Sequence, residues 1–256
     1  MTENTHSFQI YRAELHLHTV LSPCAAIEMI PPLIIQTAES KGINLIAISD
    51  HNAIANIEAV MQAAQGTSVT VLPAIELQTR EEIHSLCLFD TLPQIQAFFD
   101  HLMPFMPDIR NNVEFFGEQF VVDQTGDFIR REERLLISSC SLSLKEAWQL
   151  VLDHQGLMIP AHVNRSAFGL FPVLGFIPQD INLEILEISR HITPGQALAE
   201  YPQLANYHLI QSGDAHFLED ILGWNEFLIE KPTVNEIRKA ILGIDGRKYR
   251  NLSINL

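Results

Sequence analysis

Short apolar runs alternate with amphipathic stretches along most of this chain. Residues 11–18, 43–48, 69–75 and 84–89 read as strands, short and bounded by turn signals. Residues 31–41, 53–65 and 92–103 between and after them carry helical spacing, and Gly42 and Gly66 close the first two as C-cap signals. The second half continues with a helix over 144–154 and strands over 157–161, 183–188 and 207–211. A further strand over 225–229 precedes a last helix over 233–242, with Thr233 as its N-cap. Strands alternating with helices predict parallel pairing in an α/β fold. About seven strands in this length fit a TIM-like (β/α) barrel better than a short open sheet, with chemistry at the C-terminal ends of the strands.

Residues 118–137 break the alternation. Two strand-like runs flank Gln124-Thr125-Gly126, and the return run carries Arg130, Arg131, Glu132, Glu133 and Arg134. This predicts an exposed β-hairpin, read as a solvated excursion or as a lid over a site. No repeat, low-complexity tract or linker is visible, so residues 1–256 are read as one domain.

Composition narrows the picture. The chain has 256 residues, 47% of them hydrophobic, with 16 Lys plus Arg against 31 Asp plus Glu for a formal charge of −15. That balance disfavours an extended basic groove for nucleic acid and suits a site rich in bound cations. Three cysteines, Cys24, Cys87 and Cys140, form no disulfide framework and point to a reducing compartment. The first nine residues lack the pattern of a signal peptide, and no apolar run approaches the roughly 20 residues that span a bilayer. The expectation is a cytoplasmic protein without membrane contact.

The candidate chemistry lies where the strand pattern ends. Six of the eleven histidines, His16, His18, His51, His84, His162 and His216, sit at the mouths of predicted strands. Glu14, Asp50, Glu76, Glu187 and Asp214 accompany them. Imidazole and carboxylate are the donors that bind borderline and hard divalent metals. His16 and His18 are two apart, so an extended backbone turns both to one face. His84 begins its strand, yet the segment from Glu76 is too short for a helical crossover. A hairpin would return it to the same rim, which predicts local antiparallel pairing. His6, His101, His154, His191 and His208 lack ligand neighbours at motif spacing and read as surface or packing residues.

The succession Glu-Leu-His-Leu-His-Thr, Ser-Asp-His-Asn, Pro-Ala-Ile-Glu, Ala-His-Val-Asn-Arg and Gly-Asp-Ala-His, from Glu14 to His216, resembles the PHP (polymerase and histidinol phosphatase) superfamily. The resemblance implies a distorted seven-stranded βα barrel, a trinuclear centre of zinc, manganese or iron, and phosphoester hydrolysis. It assigns His16, His18 and Asp214 to a first metal, with Glu76 bridging to a second. His84 and His162 complete the second, and His51 and His216 hold the third. One further ligand is open between Cys24 and Glu28, because Ala25 and Ala26 stand where a related subgroup carries Gly-Asp; two to three ions are therefore expected. Asp50 is read as orienting an imidazole or touching metal or water.

Such a centre acidifies a bound water into a hydroxide nucleophile and holds the phosphoryl oxygens. Arg165 and, after it, Arg190 are the cationic side chains expected to meet the phosphate. The leading expectation is a phosphoesterase for a small phosphorylated metabolite or nucleotide. A nuclease or DNA-repair endonuclease is the alternative, and a non-catalytic metal-binding scaffold a third.

Overall fold

The computed structural model describes residues 7–253, so His6 and most of the stretch read for a leader lie outside the described residues. The strands are β1 (Gln9–Leu17), β2 (Leu45–Ile48), β3 (Thr70–Gln78), β4 (His84–Leu88), β5 (Phe120–Val122), β6 (Phe128–Arg131), β7 (Leu157–Pro160), β8 (Ile185–Ile188), β9 (His208–Gln211), β10 (Asn225–Ile229) and β11 (Lys248–Asn251). Seven of them form one curled sheet in the order β11-β10-β1-β2-β3-β4-β7, while β5 pairs with β6 and β8 with β9.

Alternate side chains of each strand point to opposite faces, and the core divides accordingly. Ile46 and Ile48 of β2 join the cluster of Ile34, Ile35 and Val60, which come from helices Pro31–Ser40 and Ile57–Ala63. Leu45 and Ala47 of the same strand join Leu15, Leu72, Leu86 and Ile159 on the other face, packed with Ile237 and Ile241 of helix Val234–Leu242. A strand buried on both faces needs the unbroken apolar run seen in the sequence.

Pairing is parallel among β1, β2 and β3 and antiparallel between β3 and β4, with Gln78 opposite His84. The expected hairpin is thus present. β4 pairs antiparallel with β7, and Ala161 N donates to His84 O at 2.9 Å. Two reversals bring the end of β7 back to the rim where β1, β2 and β3 end.

The continuous ladder stops at β7, so this is a half barrel and not a closed one. Val163 N donates to Glu187 O, linking the chain after β7 to β8. His18 N donates to Ala215 O, and Ala215 N to His16 O, linking the chain after β9 to β1. Further pairing is blocked because antiparallel β10 occupies the edge of β1 from Gln9 to Ala13.

Several boundaries differ from the pattern. The helix expected over 53–65 begins only at Ile57. Asn56 holds the preceding turn: its amide donates to Thr19 Oγ1 and Phe120 O, and its Oδ1 accepts from Val122 N. The same bonds anchor the hairpin, whose return strand is shorter than expected. Val121 is buried with Leu21, Ala53 and Leu136, whereas all of β6 is exposed. Thr233 caps its helix as expected, accepting from Glu236 N. Among the described residues, no helix is long and apolar enough to cross a membrane.

Candidate metal centre

Glu76, late in β3 and 1% exposed, lies at the middle of a ring of imidazoles. Its Oε1 is 3.2 Å from His16 Nε2, 2.9 Å from His84 Nδ1 and 3.2 Å from His162 Nε2. Its Oε2 is 2.8 Å from His51 Nδ1 and 3.4 Å from His18 Nε2. Asp214 Oδ1 stands 3.3 Å from His16 Nε2 and 3.5 Å from His18 Nε2. Five histidines on one buried carboxylate exceed what that carboxylate can satisfy, since each of its oxygens accepts only a few bonds.

Three ring nitrogens away from the centre are held separately. His16 Nδ1 bonds Glu187 Oε1 at 2.9 Å, His18 Nδ1 bonds Ser22 Oγ at 2.9 Å, and His216 Nδ1 bonds the Asp214 carbonyl at 2.9 Å. A proton on each Nδ1 leaves the Nε2 lone pair free, as metal ligation requires. Ser22 Oγ donates onward to Asp50 Oδ1, and Asp50 also accepts from Thr19 N and Thr19 Oγ1. Asp50 thus acts on His18 through Ser22. Glu14 accepts from the backbone N–H groups of Gly213, Leu222 and Gly223, tying β1 to the loop that carries Asp214.

Metal fits this arrangement. Of the eight buried side-chain polar atoms without a hydrogen-bond partner among the described residues, six belong here: His16 Nε2, His18 Nε2, Glu76 Oε2, His84 Nδ1, His162 Nδ1 and Glu187 Oε2. Leaving such atoms bare is costly unless something else coordinates them. Three groups bring their ligand atoms within 4.8 Å of one another: His16, His18 and Asp214; His51, Glu76 and His84; and His18, His51 and His216.

Electrostatics divide the ring: against the cost of burial, Glu187 and Glu76 hold His16, and Glu76 and Cys24 hold His51, well up toward their charged forms. Burial disfavours the Glu76 carboxylate, but His84, His16 and His51 outweigh it and hold Glu76 well below the usual range. Burial, with His216 and His51 alongside, pushes His18 far down into its neutral, ligand-competent form. Burial likewise brings His84 down to about 4, against the pull of Glu76.

The two residues left open for the further ligand part company. Cys24 is exposed beside the cluster; desolvation opposes its ionisation, but hydrogen bonding by His216 and His51 brings the thiol down to about 6. Glu28 makes no ion pair or side-chain hydrogen bond among the described residues and is not drawn into the cluster. Arg165 is 46% exposed and pairs with Asp214 Oδ2 at 2.8 Å. Arg190 is spent on Asp220 and on the Gly213 carbonyl, bracing the Asp214 loop.

Backbone strain gathers here. His162 (φ 29°), Asp214 (φ 48°) and Phe168 (φ 61°) all lie in the left-handed region that L side chains avoid. Phe168, unmarked by any sequence pattern, stacks on His84 at 4.4 Å and accepts His84 N at its carbonyl. Gly169 lets this loop close, because a Cβ there would run into the Arg165 carbonyl.

A PHP domain family model matches residues 14–154, more than half of the chain. The chain belongs to the PHP family. His16, His18, His51, Glu76 and His84 fall within the matched stretch, whereas His162, Asp214 and His216 follow it. No curated protein sequence matches the chain. Among solved structures, the chain is similar to the lesion-specific endonuclease EndoQ from Pyrococcus furiosus, with TM-score 0.73 and 21% identity over 94% of this chain. A second Endonuclease Q structure, in complex with a 27-mer duplex bearing an abasic lesion, gives TM-score 0.72 at 21% identity and the same coverage. This PHP chain spans 58% of the length of those endonucleases. A Bifidobacterium adolescentis protein assigned as a metal-dependent phosphoesterase gives TM-score 0.57 at 16% identity, over 93% of this chain and 97% of its own. These likenesses show a shared fold.

Proposed function

We propose that the protein is a metal-dependent phosphoesterase acting on a small phosphorylated metabolite or nucleotide. The observation that carries this reading is the Glu76 carboxylate ringed by five imidazoles, with six buried polar atoms that lack partners. The cluster takes two or three divalent ions, zinc, manganese or iron, which when bound supply an acidified water and a Lewis-acid hold on phosphoryl oxygens. His16, His18 and Asp214 hold one ion; Glu76, His84 and His162 a second; His51 and His216, with Cys24, a third. Arg165 turns from Asp214 to meet a phosphate oxygen, for which its planar guanidinium is suited. The ligands end or follow β1, follow β2, β7 and β9, lie late in β3 or, as His84, begin the antiparallel β4, and so share the C-terminal rim of a distorted barrel.

The likeness to EndoQ favours a second reading, a DNA endonuclease. Against it stand the charge of −15 and the state of the hairpin arginines. Arg130 and Arg131 are paired with Glu132 and Glu118, and Arg110 beside the hairpin with Glu133, so that Arg134 alone of the hairpin arginines has no acidic partner among the described residues, little free positive charge for a backbone of phosphates.

Elemental analysis of protein purified without chelator, with hydrolysis of an aryl phosphate monoester and its diester, tests both readings. Two to three equivalents of metal and monoester turnover lost in His16→Ala support the phosphatase. Diester preference together with salt-dependent gel shifts of DNA would turn the assignment to the endonuclease. Full metal occupancy with no turnover of any ester would leave a metal-binding scaffold.

A further inference from the structure

We infer that the cavity beside the cluster is a subsite for the planar ring of a nucleotide-type phosphoester, with Phe217 as its stacking face; this rests on the phosphoesterase reading above. The cavity, about 360 Å³, is lined by Asp214, His216 and Arg165 together with Ser189, His191 and Phe217. That volume is of the size that encloses a small organic ligand. It therefore brings the metal cluster, where a phosphate would sit, together with side chains of different chemistry.

Phe217 gives that wall its character. It immediately follows His216, is 46% exposed, and among the described residues is the one phenyl ring lining the cavity. Among the described residues no other ring packs against it. A large apolar side chain left in water next to a metal cluster offers one face for stacking, and every nucleobase has a complementary π-face. His191 stands beside it, exposed and without a hydrogen bond or ion pair among the described residues. Arg190 lines the same cavity but is engaged by Asp220, and Arg165 is given to the phosphate. His191 is thus the ring nitrogen pair free to meet a sugar hydroxyl or a base edge.

The arrangement orders the substrate. Phosphorus lies toward Asp214 and His216, and the alcohol side of the ester lies toward Phe217. Hydrolysis forms a bond from the water oxygen to phosphorus and breaks the ester P–O bond. The departing oxygen takes up a proton, so a nucleoside and inorganic phosphate result.

Steady-state kinetics of the metal-loaded protein with adenosine 5′-monophosphate and with glycerol 3-phosphate test this. The wild type should prefer the nucleotide, chiefly through KM. Phe217→Ala should raise KM for the nucleotide about tenfold and shrink the preference by the same factor, while Phe217→Tyr should restore it. A nucleotide-to-glycerol-phosphate preference that Phe217→Ala leaves unmoved would overturn the subsite and leave the phosphoesterase standing. Hydrolysis of aryl phosphate without hydrolysis of the nucleotide would do the same. Failure of the metal-loaded wild type to hydrolyse any phosphoester would overturn the phosphoesterase reading, and the subsite with it.

Discussion

Glu187 shows how much of this site rests on residues that touch no substrate. It is buried, accepts from His16 Nδ1 at 2.9 Å and from His162 N at 3.2 Å, and so aligns two residues of the imidazole ring at once. Its signal in the sequence is a lone acid inside the apolar run Ile185-Leu186-Glu187-Ile188. Outer partners of this kind typically govern metal affinity by about 10- to 100-fold. Glu187→Ala should therefore weaken zinc binding by roughly that factor in calorimetric titration, with Glu187→Gln recovering part; unchanged affinity in both would remove its positioning role. Cys24 makes a separate prediction. The thiolate is the reactive form, so iodoacetamide labelling of metal-free protein should rise through about pH 6 and level off above it. Cys87 and Cys140 should stay unlabelled, because burial pushes both thiols up, Cys140 to about 11. A labelling midpoint for Cys24 near the ordinary thiol value of about 8.5 would mean that His216 and His51 do not stabilise it.

At the scale of elements, the hairpin and the rim are coupled through one side chain. Asn56 bonds Thr19 in the loop after β1 and both Phe120 and Val122 in β5. Thr19 in turn donates to Asp50, which holds Ser22 against His18. Asn56→Ala would leave a buried backbone N–H and C=O without partners, a loss of about 2 kcal/mol. Thermal denaturation should show a Tm lowered by several degrees, and limited proteolysis should cut within 117–137 sooner than in the wild type. Equal Tm and equal cleavage would show that β5 is held by Val121 and its apolar neighbours alone. The hairpin was legible because Gln124-Thr125-Gly126 marks a turn. Its docked strand was not, because alternation tells which side chains share a face and not what that face meets.

For the whole molecule, the PHP chain is a half barrel whose strand ends converge on one carboxylate. The alternation of apolar and helical runs was readable because burial on two faces of a parallel sheet demands it locally, as in Leu45–Ile48. The convergence of imidazoles and carboxylates was readable too, since these donor side chains fall at strand ends. Even the antiparallel turn of β3 and β4 followed from the short distance between Glu76 and His84. Other features were beyond any local pattern. The half barrel stays open because β10, 212 residues away in the Ala13–Asn225 pairing, takes the edge of β1.

The grouping of ligands was decided in the same way. His16 meets Asp214, and Glu14 meets Gly213 across 199 positions, because strand register and loop closure bring them together. Side-chain type and spacing along the chain thus determined which imidazoles and carboxylates stand together at the strand ends. The tertiary structure alone decided that Cys24 meets His216 and His51 while Glu28 makes no side-chain bond among the described residues, that Arg190 braces a loop, and that Ser22, Phe168 and Glu187 support the ring. Those outcomes depend on contacts between segments far apart in the chain, whose geometry no local periodicity encodes.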